Sequence, residues 1–144
     1  MPPDLATHDG ITADRVVVVG FCFGGRAAFT AATAIDGLAG IVVFYGPGIA
    51  AGPHAVLDRA DQIDAPILVH VGSEDPTIPA DQVAAIDAAL ACASTPAEHC
   101  VYPGAGHAFA CDARPAMYRA EAAALAWDRT FAFLTEHLSV PVRR

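Results

Sequence analysis

The 144-residue sequence contains no lysine, and its eight basic side chains face sixteen acidic ones. A formal charge of −8 leaves no basic stripe, which argues against nucleic-acid binding, because that depends on neutralising phosphates. Charged residues of either sign make up only 17% of the chain, whereas 54% is hydrophobic and the mean hydropathy is +0.41. A chain so poor in charge buries surface instead of staying solvated, so disorder is excluded for most of it. Long apolar runs are missing as well. The hydrophobic excess is carried largely by alanine, as in Ala122-Ala123-Ala124, and no stretch nears the roughly 18 apolar residues of a membrane span. The start, Met1-Pro2-Pro3-Asp4, has neither a cationic region nor an apolar segment, so no secretion signal is expected. Cys22, Cys92, Cys100 and Cys111 then read as reduced thiols of a cytoplasmic protein, not as a disulfide framework.

What the chain has is an alternation of strand and helix signals. Residues 1–14 are polar and Asp-rich and read as a lead-in loop; residues 15–140 read as one domain, without repeats or linkers. Arg15–Val19 is a β-branched run of the kind buried on both faces of a parallel sheet. A helix over 24–35 follows, stopped by Gly37, then a strand over 40–45 that ends at Gly46-Pro47-Gly48. A short helix near 54–61 precedes a strand over 67–71. Pro79 suits the first turn of a helix over 80–92, residues 98–102 give a fourth strand, and a last helix runs from Pro115 to about Leu138. The order β-α-β-α-β-α-β-α predicts an α/β fold, a parallel sheet with helices on both faces. Ligands of such sheets bind beyond the carboxyl ends of the strands, so the loops at 20–25, 45–48, 72–79 and 103–112 hold the candidate residues.

Gly20-Phe21-Cys22-Phe23-Gly24-Gly25 has the spacing of a strained strand-to-helix turn that presents a nucleophile, here Cys22, at a helix N-terminus. On this reading Gly20 and Gly24 keep the close approach free of side chains. The other readings are a buried cysteine between glycines and a phosphate loop; the second lacks both its glycine order and its lysine. A nucleophile in such a turn needs a base and an orienting carboxylate, in chain order nucleophile, acid, His. Asp75, with Glu74 as its rival, lies past the third strand, and His107 lies past the fourth. All three candidates fall on one rim of the sheet. The backbone N–H of Phe23 is the candidate oxyanion donor, and Phe21, Phe23, Tyr45 and Phe109 line a pocket or pack as core. A zinc site from His99, Cys100, His107 and Cys111 is an alternative that lacks a C-x-x-C pair, and no metal or cofactor is expected.

The stretches Arg15–Arg26, Val43–Gly46, Gly72–Pro79 and Tyr102–Phe109, with Tyr118, Ala122 and Ala126-Trp127-Asp128-Arg129 of the final helix, resemble the dienelactone hydrolase (carboxymethylenebutenolidase) family of the α/β-hydrolase fold. The resemblance covers most of residues 15–138. It implies a Cys22-Asp75-His107 triad that hydrolyses carboxylic esters or lactones without a cofactor. It also implies that the N-terminal strands of that fold are lacking here, together with the second oxyanion-hole amide and the Glu and Arg they carry. Two other readings differ in class: a catalytically idle half-domain completed by an N-terminal polypeptide, and a thiol redox sensor built on Cys22. The expected partner is a small ester or lactone, with neither nucleic acid nor membrane. The exposed edge of the 15–19 strand is expected to pair with a second copy or with a complementary N-terminal chain.

Overall fold

In the computed structural model, which describes residues 13–138, the β-branched run becomes strand β1, Val17–Phe21. It starts later than the run because Ala13–Arg15 form a 3-10 turn, and it continues through Gly20 and Phe21 because they pair with Val43 and Phe44. Helix α1, Phe23–Ala32, follows, then β2, Gly40–Phe44. The expected helix near 54–61 is a 3-10 helix over Leu57–Gln62. Next come β3, Ile67–Gly72; α2, Ala80–Ala91; β4, Ala97–Tyr102; and α3, Ala120–His137. Helix α3 begins later than Pro115. The Arg119 N–H donates to the carbonyl of Phe109 at 2.9 Å, and this tie holds Arg119 extended, with φ −128° and ψ 98°. Residues 1–12 of the expected lead-in loop and 139–140 of the expected domain lie outside the described residues.

The four strands are parallel, in the order β1-β2-β3-β4. Every residue of β2 and β3 is buried, as an unbroken apolar run in a sheet covered on both sides requires. Side chains alternate across the pleat. The row Gly20, Val43, Val69, His99 faces α1 and α2. There a Cβ on Gly20 would come within 2.9 Å of the Ala28 Cβ, and His99 lies 3.5 Å from Asp87 of α2. The next row, Phe21, Phe44, His70, Cys100, faces α3, where the Trp127 ring sits 5.2 Å from Phe44. Helices therefore cover both faces. Among the described residues β1 is an edge strand, with Val19 and Phe21 about 40% exposed beside exposed Phe131 of α3. No helix among them is long and apolar enough to cross a membrane.

Helix α3 is fastened to the sheet by a polar bridge inside the core. His70 is fully buried, with Nδ1 2.9 Å from the Tyr102 hydroxyl and Nε2 3.0 Å from Thr130 Oγ1. The Thr130 hydroxyl donates to the Ala126 carbonyl at 2.8 Å, so its oxygen accepts from His70 Nε2–H, and Tyr102 donates to Nδ1. A neutral imidazole satisfies this arrangement and a charged one does not. Burial, with Arg129 and His99 nearby, pushes the His70 pKa from 6.5 down to about 3.

The folded protein keeps His70 neutral where the unfolded chain takes up a proton. Stability contributed by this group is therefore complete above pH 6.5 and is lost as pH falls from 6.5 toward 3. The expected slope is about 1.4 kcal/mol per pH unit. Urea unfolding of the wild type and of His70→Asn between pH 7 and pH 4 measures it; the variant should be less stable at pH 7 and should lose that slope. Parallel pH profiles for the two proteins would contradict the assignment.

Candidate active site

Cys22 sits alone between the end of β1 and the start of α1, with φ 54° and ψ −121°. That left-handed backbone is costly for a side chain bearing a Cβ. Bonds on both sides hold it: the Cys22 N–H donates to the Phe44 carbonyl at 3.0 Å, and its own carbonyl accepts from Gly25 N–H at 2.9 Å. The sharpness of the turn brings β1 and α1 into contact. A Cβ on Gly20 would lie 2.0 Å from the Gly24 carbonyl oxygen, so no other residue fits there. Gly24 differs from the sequence expectation. A Cβ there meets nothing within 4 Å, because it points away from the strand.

Loops beyond β3 and β4 deliver the other two groups. Gly72 lets them meet: a Cβ on it would lie 2.2 Å from the Ala105 carbonyl oxygen. Ser73 N–H donates to Tyr102 O and Glu74 N–H to Ala105 O, each at 2.9 Å. Asp75 is thereby buried, while its rival Glu74 stays exposed. Asp75 Oδ2 accepts from His107 Nδ1 at 2.8 Å, and Oδ1 accepts from the Thr77 N–H at 2.8 Å and the Thr77 hydroxyl at 2.6 Å. With its hydrogen committed to Asp75, the Thr77 oxygen, 3.1 Å from His107 Nδ1, faces the same N–H. Both contacts favour the Nδ1–H tautomer, which leaves the lone pair of Nε2 toward Cys22 Sγ at 3.1 Å. Cys22, His107 and Asp75 thus form one line of hydrogen bonds, the spacing that a nucleophile, a base and an orienting carboxylate require.

Sequence reasoning missed Thr77. An Asp-Pro-Thr turn, in which the carboxylate caps a backbone N–H two residues on, was its available signal. Tyr45 lies beside the line, its ring 5.4 Å from His107, and is itself left-handed at φ 39°. Burial, reinforced by the Cys111 and Cys22 thiols and opposed by Arg114, raises its pKa to about 12. Its hydroxyl therefore stays protonated. The remaining aromatic candidates separate. Phe109 is fully buried, 5.0 Å from Tyr102 and 5.4 Å from Tyr45, so it packs as core and offers no surface to a ligand. Phe21 stacks on Phe44 at 4.7 Å, on the α3 face. Phe23 is 67% exposed, and its N–H, the first of α1, has no acceptor within the helix. His99 and His107 face different carboxylates, and no cluster of three metal-ligating side chains occurs among the described residues.

A strained thiol between a parallel strand and a helix, with acid and histidine on the next loops of the same rim, is the arrangement of the α/β-hydrolase fold. The model of the dienelactone hydrolase family matches residues 4–138, and the chain belongs to that family. It is 36% identical over 136 residues to a Yersinia pestis protein named "Putative carboxymethylenebutenolidase", covering 92% of this chain and 51% of that one. It is 38% identical over 139 residues to a Bradyrhizobium protein named "Probable 2-oxo-3-(5-oxofuran-2-ylidene)propanoate lactonase", covering 93% and 55%. Among solved structures, a Klebsiella pneumoniae protein titled "Putative Dienelactone Hydrolase" superposes with a TM-score of 0.80 at 35% identity, covering 92% of this chain and 57% of that one. The chain spans about half the length of these relatives.

The glycines of the turn give a paired test. Gly20→Ala drives a Cβ into backbone and should cost at least about 3 kcal/mol of stability. Gly24→Ala meets open space in a helix and should gain up to about 1 kcal/mol. Denaturant unfolding of both variants checks the contrast, and equal effects would refute the packing described.

Proposed function

We propose that the chain hydrolyses carboxylic ester or lactone bonds with Cys22 as nucleophile. The observation that carries this reading is the unbroken line from Cys22 Sγ to His107 Nε2 at 3.1 Å and from His107 Nδ1 to Asp75 Oδ2 at 2.8 Å. His107 takes the thiol proton as sulfur adds to the acyl carbonyl, and the Phe23 N–H donates to the oxygen that becomes negative. The carbon–oxygen bond breaks, and His107 returns its proton to the departing alkoxide, leaving a thioester on Cys22. Water attacks that thioester, giving its proton to His107; the carboxylic acid departs and the thiol is restored. Asp75, held by Thr77, keeps the imidazole in the tautomer these steps need and stabilises it when charged. Names of relatives that include a lactonase and carboxymethylenebutenolidases support cyclic esters as the substrate class.

The same reading concerns assembly. Among the described residues β1 pairs on one side only, and Val19, Phe21 and Phe131 leave apolar surface beside its edge. Relatives of about twice the length support the inference that more strands belong there. The partner proposed for this edge is a second copy of the chain or a polypeptide that carries those strands.

Cys22→Ala should abolish hydrolysis of an activated ester while far-UV circular dichroism stays unchanged, and Thr77→Val should slow it by roughly tenfold through the loosened Asp75. Iodoacetamide should label Cys22 before exposed Cys92. Turnover that survives Cys22→Ala excludes the mechanism. Sedimentation velocity of the 144-residue chain at micromolar concentration should give species larger than a monomer; a single monomeric boundary would contradict edge pairing.

A further inference from the structure

Beside the nucleophile turn lies a cavity of about 520 Å³, between the outer flank of α1 and the segment from Pro53 to Arg59. Its size is that of a small-molecule site. Phe23, Arg26 and Thr30 line it from one face of α1, and His54, Val56 and Arg59 line it from the opposite wall. The lining contains no acidic residue. With Arg26 and Arg59 the lining is net positive in a chain whose formal charge is −8.

Neither guanidinium is neutralised. Among the described residues, Arg26 and Arg59 form no ion pair, and neither guanidinium donates a hydrogen bond. Arg26 is instead parked over the Phe23 ring, its Cζ 5.0 Å from the centroid, and its Nη1 lies against Gly48, where a Cβ would come within 3.1 Å. Packing on two sides holds the head group at the cavity and leaves its donors unused. Two half-buried arginines open onto one space with no carboxylate in its lining, so an anion there would balance their charge. Carboxylate or phosphate oxygens match the planar donor fork of arginine.

We propose that this cavity is an anion-binding site for one small ligand bearing carboxylate or phosphate-like groups, held by Arg26 and Arg59 with His54 at the rim. The site is separate from the Cys22–His107–Asp75 line and stands whether or not that line turns over esters. Titration calorimetry of the 144-residue chain at constant ionic strength, with sodium sulfate, disodium succinate and neutral succinamide as probes, tests it. One saturable site is expected for at least one of the anions and none for succinamide. Tighter sulfate points to a phosphate- or sulfate-bearing ligand, tighter succinate to a carboxylate, and both support the site. Arg26→Gln and Arg59→Gln should each weaken binding by about tenfold. Cys22→Ala and Arg119→Gln, the latter removing the same charge elsewhere, should leave it unchanged. Circular dichroism of each variant separates lost contacts from lost fold. Failure of both anions to saturate, equal binding of succinamide, or an Arg119→Gln loss as large as that of Arg59→Gln would overturn the proposal.

Discussion

The carboxylate of Asp75 is a charge with no contact with water, and much of the rim is arranged to tolerate it. A buried carboxylate persists only where donors replace its hydration. Here the three donors are the Thr77 N–H, the Thr77 hydroxyl and His107 Nδ1. The first two come from its own turn. The third comes from a loop 32 residues on, so the charge can be satisfied only if the loops after β3 and β4 meet. Gly72 permits that meeting, and the backbone bonds of Ser73 and Glu74 to Tyr102 and Ala105 make it rigid. With the loops joined, the second nitrogen of His107 reaches Cys22.

Backbone strain gathers at the same place. Cys22, Tyr45 and Ala108 are the non-glycine residues with positive φ among those described. Each belongs to the site or adjoins it: the thiol, the ring beside His107, and the residue after His107. Such conformations cost on the order of 1–3 kcal/mol apiece and persist only where surrounding packing fixes them. The buried strands β2 and β3 and the bridge from His70 to Thr130 supply that packing. The fully buried strands therefore lie directly beneath the groups whose positions matter.

Charge and exposure are unevenly distributed over the rest of the molecule. An acidic chain places two of its arginines around one cavity beside the nucleophile turn, where neither has a carboxylate partner among the described residues. On the α3 face, Val19, Phe21 and Phe131 stay open along β1. Burial thus falls off toward the edge strand β1.

The sequence by itself determined the alternation of strands and helices and the candidates Cys22, Asp75 and His107. The reason is local: β-branched runs, glycine spacing and loop position each act within a few residues. Element ends were legible only to within a few positions, because register with β2 sets the end of β1 and a bond from Arg119 to Phe109 sets the start of α3. The choice of Asp75 over Glu74 was decided by the tertiary structure, since which carboxylate turns inward depends on where the loop after β4 lies. The bridging of His70, the burial of Phe109 and the company of Arg26 and Arg59 were decided in the same way. Each depends on partners more than 30 residues away, and contacts at that range leave no period or spacing in the chain.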